Sequence, residues 1–312
     1  MSEEQEGLLT VVVAILANAG IAVAKGIAGL VSGSAAMLAE AAHSVADTAN
    51  ELLLLVAVRR SSRAADERHP FGYGRERYFW TLLAAVGIFV GGGVFSVLQG
   101  VNELRSSRHE GGHFTLTYIV LAVSFVLESV SWTQAFRQLR EDARRTDRRF
   151  RSQLWETSDP AVTTVFFEDT AALGGLAIAA TGVMLHQVTG DNFWDGSASI
   201  LIGLLLAGVA LALGRENRSL LIGEAADPRL RAALRELLSA YDEVDAVDDV
   251  LTSVIGRAEV LVAARIDLDD DLTAAQVEAL ARRMERDIVA AHPTVKHFFL
   301  DVTADAVRNV SD

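Results

Sequence analysis

His43 and Asp47 lie four residues apart in the apolar stretch AEAAHSVADTANELLLL. On a helix that spacing puts both on one face, one turn from each other. An imidazole nitrogen and a carboxylate oxygen so placed can grip a single metal ion. The plain alternative is a buried His–Asp hydrogen bond. A second apolar stretch, FFEDTAALGG, holds Glu168 and Asp169. Adjacent helical residues diverge by about 100°, so only one of these two can point fully at a shared ion. Glu reaches further than Asp, so an oblique Glu168 can still offer an oxygen. His43, Asp47 and Asp169, completed by Glu168 or water, form a four-coordinate set suited to zinc. Its three carboxylates equally suit manganese. Alternatively one of the acids pairs with a cation, and Lys25 is the one available in the apolar part of the chain.

Other polar residues in apolar stretches have structural readings. Glu128 and Lys25 are expected to neutralise one another, or else to mark, with Glu40, a path for protons or ions. Glu40, about one turn before His43, either guides ions towards it or lines a water-filled vestibule. Asp195 is expected to cap the helix that follows DNFWDG. Asn18 and Gln99 are expected to bond between helices, and Gly87, Gly91, Gly92, Gly93, Gly174 and Gly175 to permit close helix contact.

The elements that must position these groups read as membrane helices. Of 312 residues, 51% are hydrophobic, and the mean hydropathy is +0.28. A bilayer core takes about 20 apolar residues per helix. Six stretches qualify: Leu8–Val31, Ala35–Val58, Tyr78–Leu104, Phe114–Phe136, Val162–Val188 and Trp194–Leu213. Arginines gather after the second (Arg59, Arg60, Arg63, Arg68, Arg75, Arg77) and after the fourth (Arg137, Arg140, Arg144, Arg145, Arg148, Arg149, Arg151). Only Arg105 and Arg108 separate the third and fourth. The positive-inside rule then puts both Arg-rich loops, and both termini, in the cytoplasm. The acidic start MSEEQEG lacks the basic region of a cleavable signal. With no cysteine, any metal must be held by His, Asp or Glu. A net charge of -13 speaks against nucleic acid as a partner.

From residue 219 the pattern becomes that of a water-soluble domain. Asp227–Ala240 reads as an amphipathic helix with Pro228 near its start. Val247–Gly256 and Ala258–Leu268 read as a hairpin turning near Gly256. Thr273–Ala291 reads as a helix with Thr273 and Gln276 as a capping box, and Val295–Thr303 closes as a strand. The expected architecture is an all-α six-helix transmembrane bundle over 1–218. A small C-terminal α+β domain over 219–312 follows it, ordered α-β-β-α-β in a ferredoxin-like manner.

Several stretches resemble the cation diffusion facilitator family: SGSAAMLAEAAHSVADTANELLLL, RHPFGYGRERYFW, SDPAVTTVFFEDTAALGG and DNFWDGSASILIG. The resemblance covers most of the chain. It implies six spans with a cytoplasmic α-β-β-α-β domain for regulation and dimerisation. It also implies a homodimer that exports divalent metal, zinc foremost, from the cytoplasm in exchange for protons. His43, Asp47 and Asp169 would be transport-site ligands. The family's usual zinc pattern has a His four residues before the fifth-span Asp; Val165 stands there, and the Glu168–Asp169 pair marks a divergent branch. The resemblance also implies a second metal position at Asp66 and His69, or else a loop anchor at His69. A regulatory metal in the C-terminal domain would fall to His292, His297 and Asp301.

Alternating access at one central site would fit such a bundle. Zinc needs neutral imidazole and ionised carboxylates, so metal and protons compete, and His43 is the natural proton carrier. Manganese, cobalt, iron and cadmium are the other candidate cargoes. The expected setting is the lipid bilayer of the cell's inner (plasma) membrane. Two rival classes are a membrane metal sensor and an intramembrane metal-dependent enzyme; no nucleophile motif accompanies the acids, so no enzyme is expected.

Overall fold

The computed structural model describes residues 3–105, 114–145 and 160–303, with side chains described there except at 3–14, 17, 145 and 160–165. Arg108, Arg148, Arg149 and Arg151, and the side chains of Arg145 and Val165, lie outside the described part.

Six long helices come first: α1 (Glu3–Ser32), α2 (Ala35–Ser61), α3 (Glu76–Arg105), α4 (Phe114–Arg145), α5 (Pro160–Thr189) and α6 (Asn192–Ile222). By length and composition α2, α3, α4, α5 and α6 can each cross a membrane, while α1 contributes a shorter apolar run, Asn18–Ser32. Both α4 and α6 outrun the apolar stretches that mark them. Their backbone pattern continues into charged residues such as Arg137 and Arg215, because hydropathy records a bilayer's edge and not a helix's end.

The chain divides into two compact units: residues 1–57 with 79–217, and residues 58–78 with 218–312. In the first unit, Gly33 (φ 72°) makes the left-handed turn between α1 and α2. A π-helical stretch, Ile88–Val94, interrupts α3. Just there α3 meets α6 through glycine. A Cβ on Gly203 would sit 2.7 Å from the Gly93 carbonyl oxygen, and one on Gly196 would sit 2.9 Å from that of Gly100. Gly92 also packs on Leu206, whereas Gly87 and Gly91 have nothing within 4 Å, so only part of the glycine stripe serves helix contact.

In the second unit, α7 (Pro228–Ser239) is capped by Asp227, which accepts from the Arg229 amide at 2.7 Å. Strands β1 (Val244–Gly256) and β2 (Glu259–Leu268) pair antiparallel, and β3 (Val295–Val302) pairs parallel to β2, giving the order β1-β2-β3. Helix α8 (Ala274–Ala291) starts at Thr273, whose amide donates to Gln276 Oε1 at 2.9 Å. Alternate β2 residues Val262, Ala264 and Ile266 face Leu234, Leu238, Met284 and Ile288, all with no exposure, in one dry core.

The loop between α2 and α3 belongs to this second unit, although sequence alone places it with the helices. Phe71 sets its ring against His297 (5.2 Å between centroids) and Phe299 (6.3 Å). Arg75 donates to Ser253 at 2.9 Å.

Candidate functional site

Helix α2 carries a polar stripe: Glu40, His43, Asp47, Asn50 and Glu51 recur at helical spacing. His43 is 3% exposed, and its Nδ1 approaches Asp47 Oδ1 to 3.4 Å. Neither ring nitrogen has a hydrogen-bond partner among the described residues, nor does Asp47 Oδ1. Buried polar atoms normally find partners, so these are poised for something that supplies one.

Helix α5 supplies Glu168 and Asp169. Glu168 Oε1 accepts from Asn50 Nδ2 at 2.8 Å. Asp169 is hydrogen-bonded by Ser131 of α4, and its Oδ2 is buried without a partner among the described residues. The two neighbours diverge, one bonded towards α2 and the other towards α4. On α1, Asn18 Nδ2 donates to Glu51 Oε1 at 2.6 Å. These groups line one cavity of about 170 Å³, whose walls hold the carboxylates of Asp47, Glu51, Glu128, Glu168 and Asp169. Among the described residues no Lys or Arg lines it. Among the described residues no three His, Asp or Glu side chains converge closely enough to hold one ion together; the acids stand apart around the cavity wall.

Lys25 does not neutralise Glu128. Its ion pair is with Glu40, 3.0 Å away, and both side chains have no exposure. Glu128 instead lines the cavity. Asp195 does not cap its own helix either. It crosses to α2, accepting from Ser34 Oγ at 2.6 Å and from the amides of Ala35 and Ala36. Asp191 takes the expected role on α6, accepting from the Phe193 amide at 2.9 Å. Thus α6 holds the first turn of the helix that carries His43 and Asp47.

Sequence reasoning left Glu51 and Asn50 out of the site. The signal was present: Glu51 follows Asp47 by the same four residues that separate Asp47 from His43.

In the α2–α3 loop, Asp66 receives three donors: the amides of Arg68 (3.0 Å) and His69 (2.8 Å), and the Tyr73 hydroxyl (2.6 Å). The Tyr73 hydrogen bond, with the His69 amide next, holds its carboxyl below the usual range. His69 Nδ1 lies 3.5 Å from Asp66 Oδ1, and its ring packs on Tyr73 at 4.3 Å. In the C-terminal unit, His292 ends α8, His297 packs on Phe71, and Asp301 Oδ2 accepts from Arg265 Nε at 2.9 Å. Four residues of strand separate His297 from Asp301 by about 13 Å, too far for one ion.

A family of known proteins described as the cation efflux transmembrane domain matches residues 11–222. This chain belongs to the cation efflux, or cation diffusion facilitator, family. The chain is 36% identical over 241 residues to metal tolerance protein C4 of Arabidopsis thaliana, covering 77% of this chain and 52% of that one. It is 34% identical over 259 residues to the human proton-coupled zinc antiporter SLC30A9, mitochondrial, covering 83% and 45%. It is also 21% identical over 305 residues to the manganese efflux system protein MneP of Bacillus subtilis, covering 96% of each. The chain spans about half the length of the first two relatives. The cation efflux family is one of multi-pass membrane transporters, not enzymes.

Proposed function

We propose that this cation efflux protein is a secondary active transporter that exports divalent metal, zinc foremost, from the cytoplasm in exchange for protons. The observation that carries this reading is the cavity: five carboxylates from three helices, with no basic side chain in its wall. Ionisable groups inside a span are costly, and a mobile cation is what offsets such a cluster. Asp47 and Asp169 act as the central ligands, with His43 and Glu168 completing the set as the helices close on the ion. The pairing of an unpartnered imidazole with carboxylates favours zinc, and the printed name of the human relative agrees. The carboxylate-rich cavity wall favours manganese as the second cargo, as the Bacillus relative's name also does.

Binding requires neutral His43 and ionised carboxylates, so each arriving ion displaces protons and each returning proton expels the ion. The Arg-rich α2–α3 loop sets the cytoplasmic side, with both termini there, in the plasma membrane of the cell. A homodimer is the expected assembly.

The test is flux into sealed vesicles with zinc, manganese, cobalt, iron and cadmium compared side by side, each under opposite pH gradients. Zinc should move fastest, and a proton gradient directed against it should drive it. Flux indifferent to the gradient removes proton exchange. Uptake that saturates at one load per protein replaces the transporter with a sensor.

A further inference from the structure

Three helices place the cavity on the same side of one buried ion pair. On α2 its wall residues all follow Glu40, starting at Ser44; on α1 they precede Lys25; on α5 they precede Gly175. A Cβ at Gly175 would overlap Glu40 Oε1, so the glycine lets the carboxylate lie against the α5 backbone. Beyond this level, towards Ser34, the interior is dry: Ala28, Ala36, Met37, Ala39 and Ala179 have no exposure and pack with Leu176. Glu40 uses Oε2 for Lys25, and its Oε1 has no hydrogen-bond partner among the described residues.

We infer that the Lys25–Glu40 pair is the floor of the cation cavity, closing it towards the Ser34 end of α2, and that Glu40 becomes a ligand for the departing ion once Lys25 releases it. This rests on the transport reading above. An ammonium group and a divalent cation compete for the same carboxylate. While Lys25 occupies Glu40, α1 and α2 are tied together against the α5 backbone and the way onward is shut. An ion leaving the cavity needs an oxygen ligand on the far side, and Glu40 is the first carboxylate along α2 in that direction. Lys25 is thus a tethered stand-in for cargo, holding the floor shut between passages. It lies in the electrostatic field of Glu128, which offers a second carboxylate when the ammonium moves; without one, a buried lysine would be left unpaired at high cost.

The chain has no cysteine, so Ser44→Cys reports access to the cavity without background. In vesicles, a membrane-impermeant maleimide is supplied from one face at a time. With Lys25 and Glu40 present, labelling is expected from one face only. In Lys25→Met/Glu40→Gln, which leaves no lone buried charge, labelling from the second face should rise about tenfold. The exchange Lys25→Glu/Glu40→Lys should bring it down again. In the cysteine-free chain, the neutral pair should lower the maximal flux about tenfold while the half-saturating metal concentration stays within about threefold. A merely structural fault would shift both and lower thermal stability. Unchanged second-face labelling in the neutral pair overturns the floor. If the Ser44→Cys chain that keeps Lys25 and Glu40 labels from one face only, yet the cysteine-free chain moves no divalent cation, the transport reading falls and the floor stands.

Discussion

In the helical unit Lys25 and Glu40 meet with no exposure, and five carboxylates line a cavity among apolar helices. In the C-terminal unit the described ion pairs, such as Arg283–Glu243 at 2.6 Å and Arg265–Asp301 at 2.9 Å, lie at the surface over an apolar core. Exposed pairs of the second kind are screened by water and contribute little. Taking a charge out of water costs several kcal/mol, which pairing offsets only in part or just cancels. A fold selected for stability alone would have no use for the first arrangement. On the transport reading proposed above, the acids of the helical unit would be held at the expense of stability for the cation they bind, while the C-terminal unit is held by its core.

Substitutions can break or sharpen that contrast. The largest effect is expected at Asp47. Asp47→Asn keeps the shape and removes the charge, and vesicle flux should fall by about 100-fold or more with circular dichroism and elution profile unchanged. A folded but fully active variant would remove Asp47 from the site. Next is the apolar core. Met284 is fully buried, and Met284→Ala should cost the C-terminal unit about 2–5 kcal/mol, read as faster hydrogen exchange of β2 amides in the whole chain. Smaller is Arg283→Ala, which loses the pair to Glu243; the same exchange measurement should show a far smaller loss than Met284→Ala, because solvent screens an exposed pair. A loss as large as that of Met284 would mean that surface charge, and not packing, holds this unit.

The smallest effect is a pH slope. Partial burial, with the hydrogen bond to Asp287 next, pushes the Tyr241 phenol up to about 12 from its ordinary 10.0. The folded chain therefore keeps this proton where the unfolded chain loses it. The contribution is complete below about pH 10 and is lost as pH rises through about 12. Tyr241→Phe should abolish that slope in the stability of the C-terminal unit, and a slope that persists assigns it to another group.

The long helices, the order of elements in the C-terminal unit and the caps at Asp227 and Thr273 are legible in sequence, because each depends on neighbours within a few residues. Most of the unexpected findings depend on neighbours in space. Asp195 sits where a cap for α6 would sit, and only the approach of α2 shows whose amides it meets. Lys25 has several acids within the apolar chain, and spacing cannot choose between Glu40 and Glu128. Phe71 packs on His297 and Phe299 across more than 200 residues of sequence. Glu51 is a different case: its spacing from Asp47 was legible, but an acid at that place reads first as an interruption of an apolar run.

Asp195 grips α2 at its first turn only, and this makes that turn a pivot. At 1.5 Å per residue, Glu40 lies about 7 Å along the lever, Asp47 about 18 Å and Glu51 about 24 Å. A tilt of about 10° would then shift Glu40 by roughly 1 Å and Glu51 by roughly 4 Å. Swinging α2 would displace the Glu51 end of the cavity and hardly disturb the end nearest Glu40. On the floor proposed above, a stroke of α2 that opens the Glu51 end would leave Lys25 and Glu40 together, and their parting would call for a movement of α1.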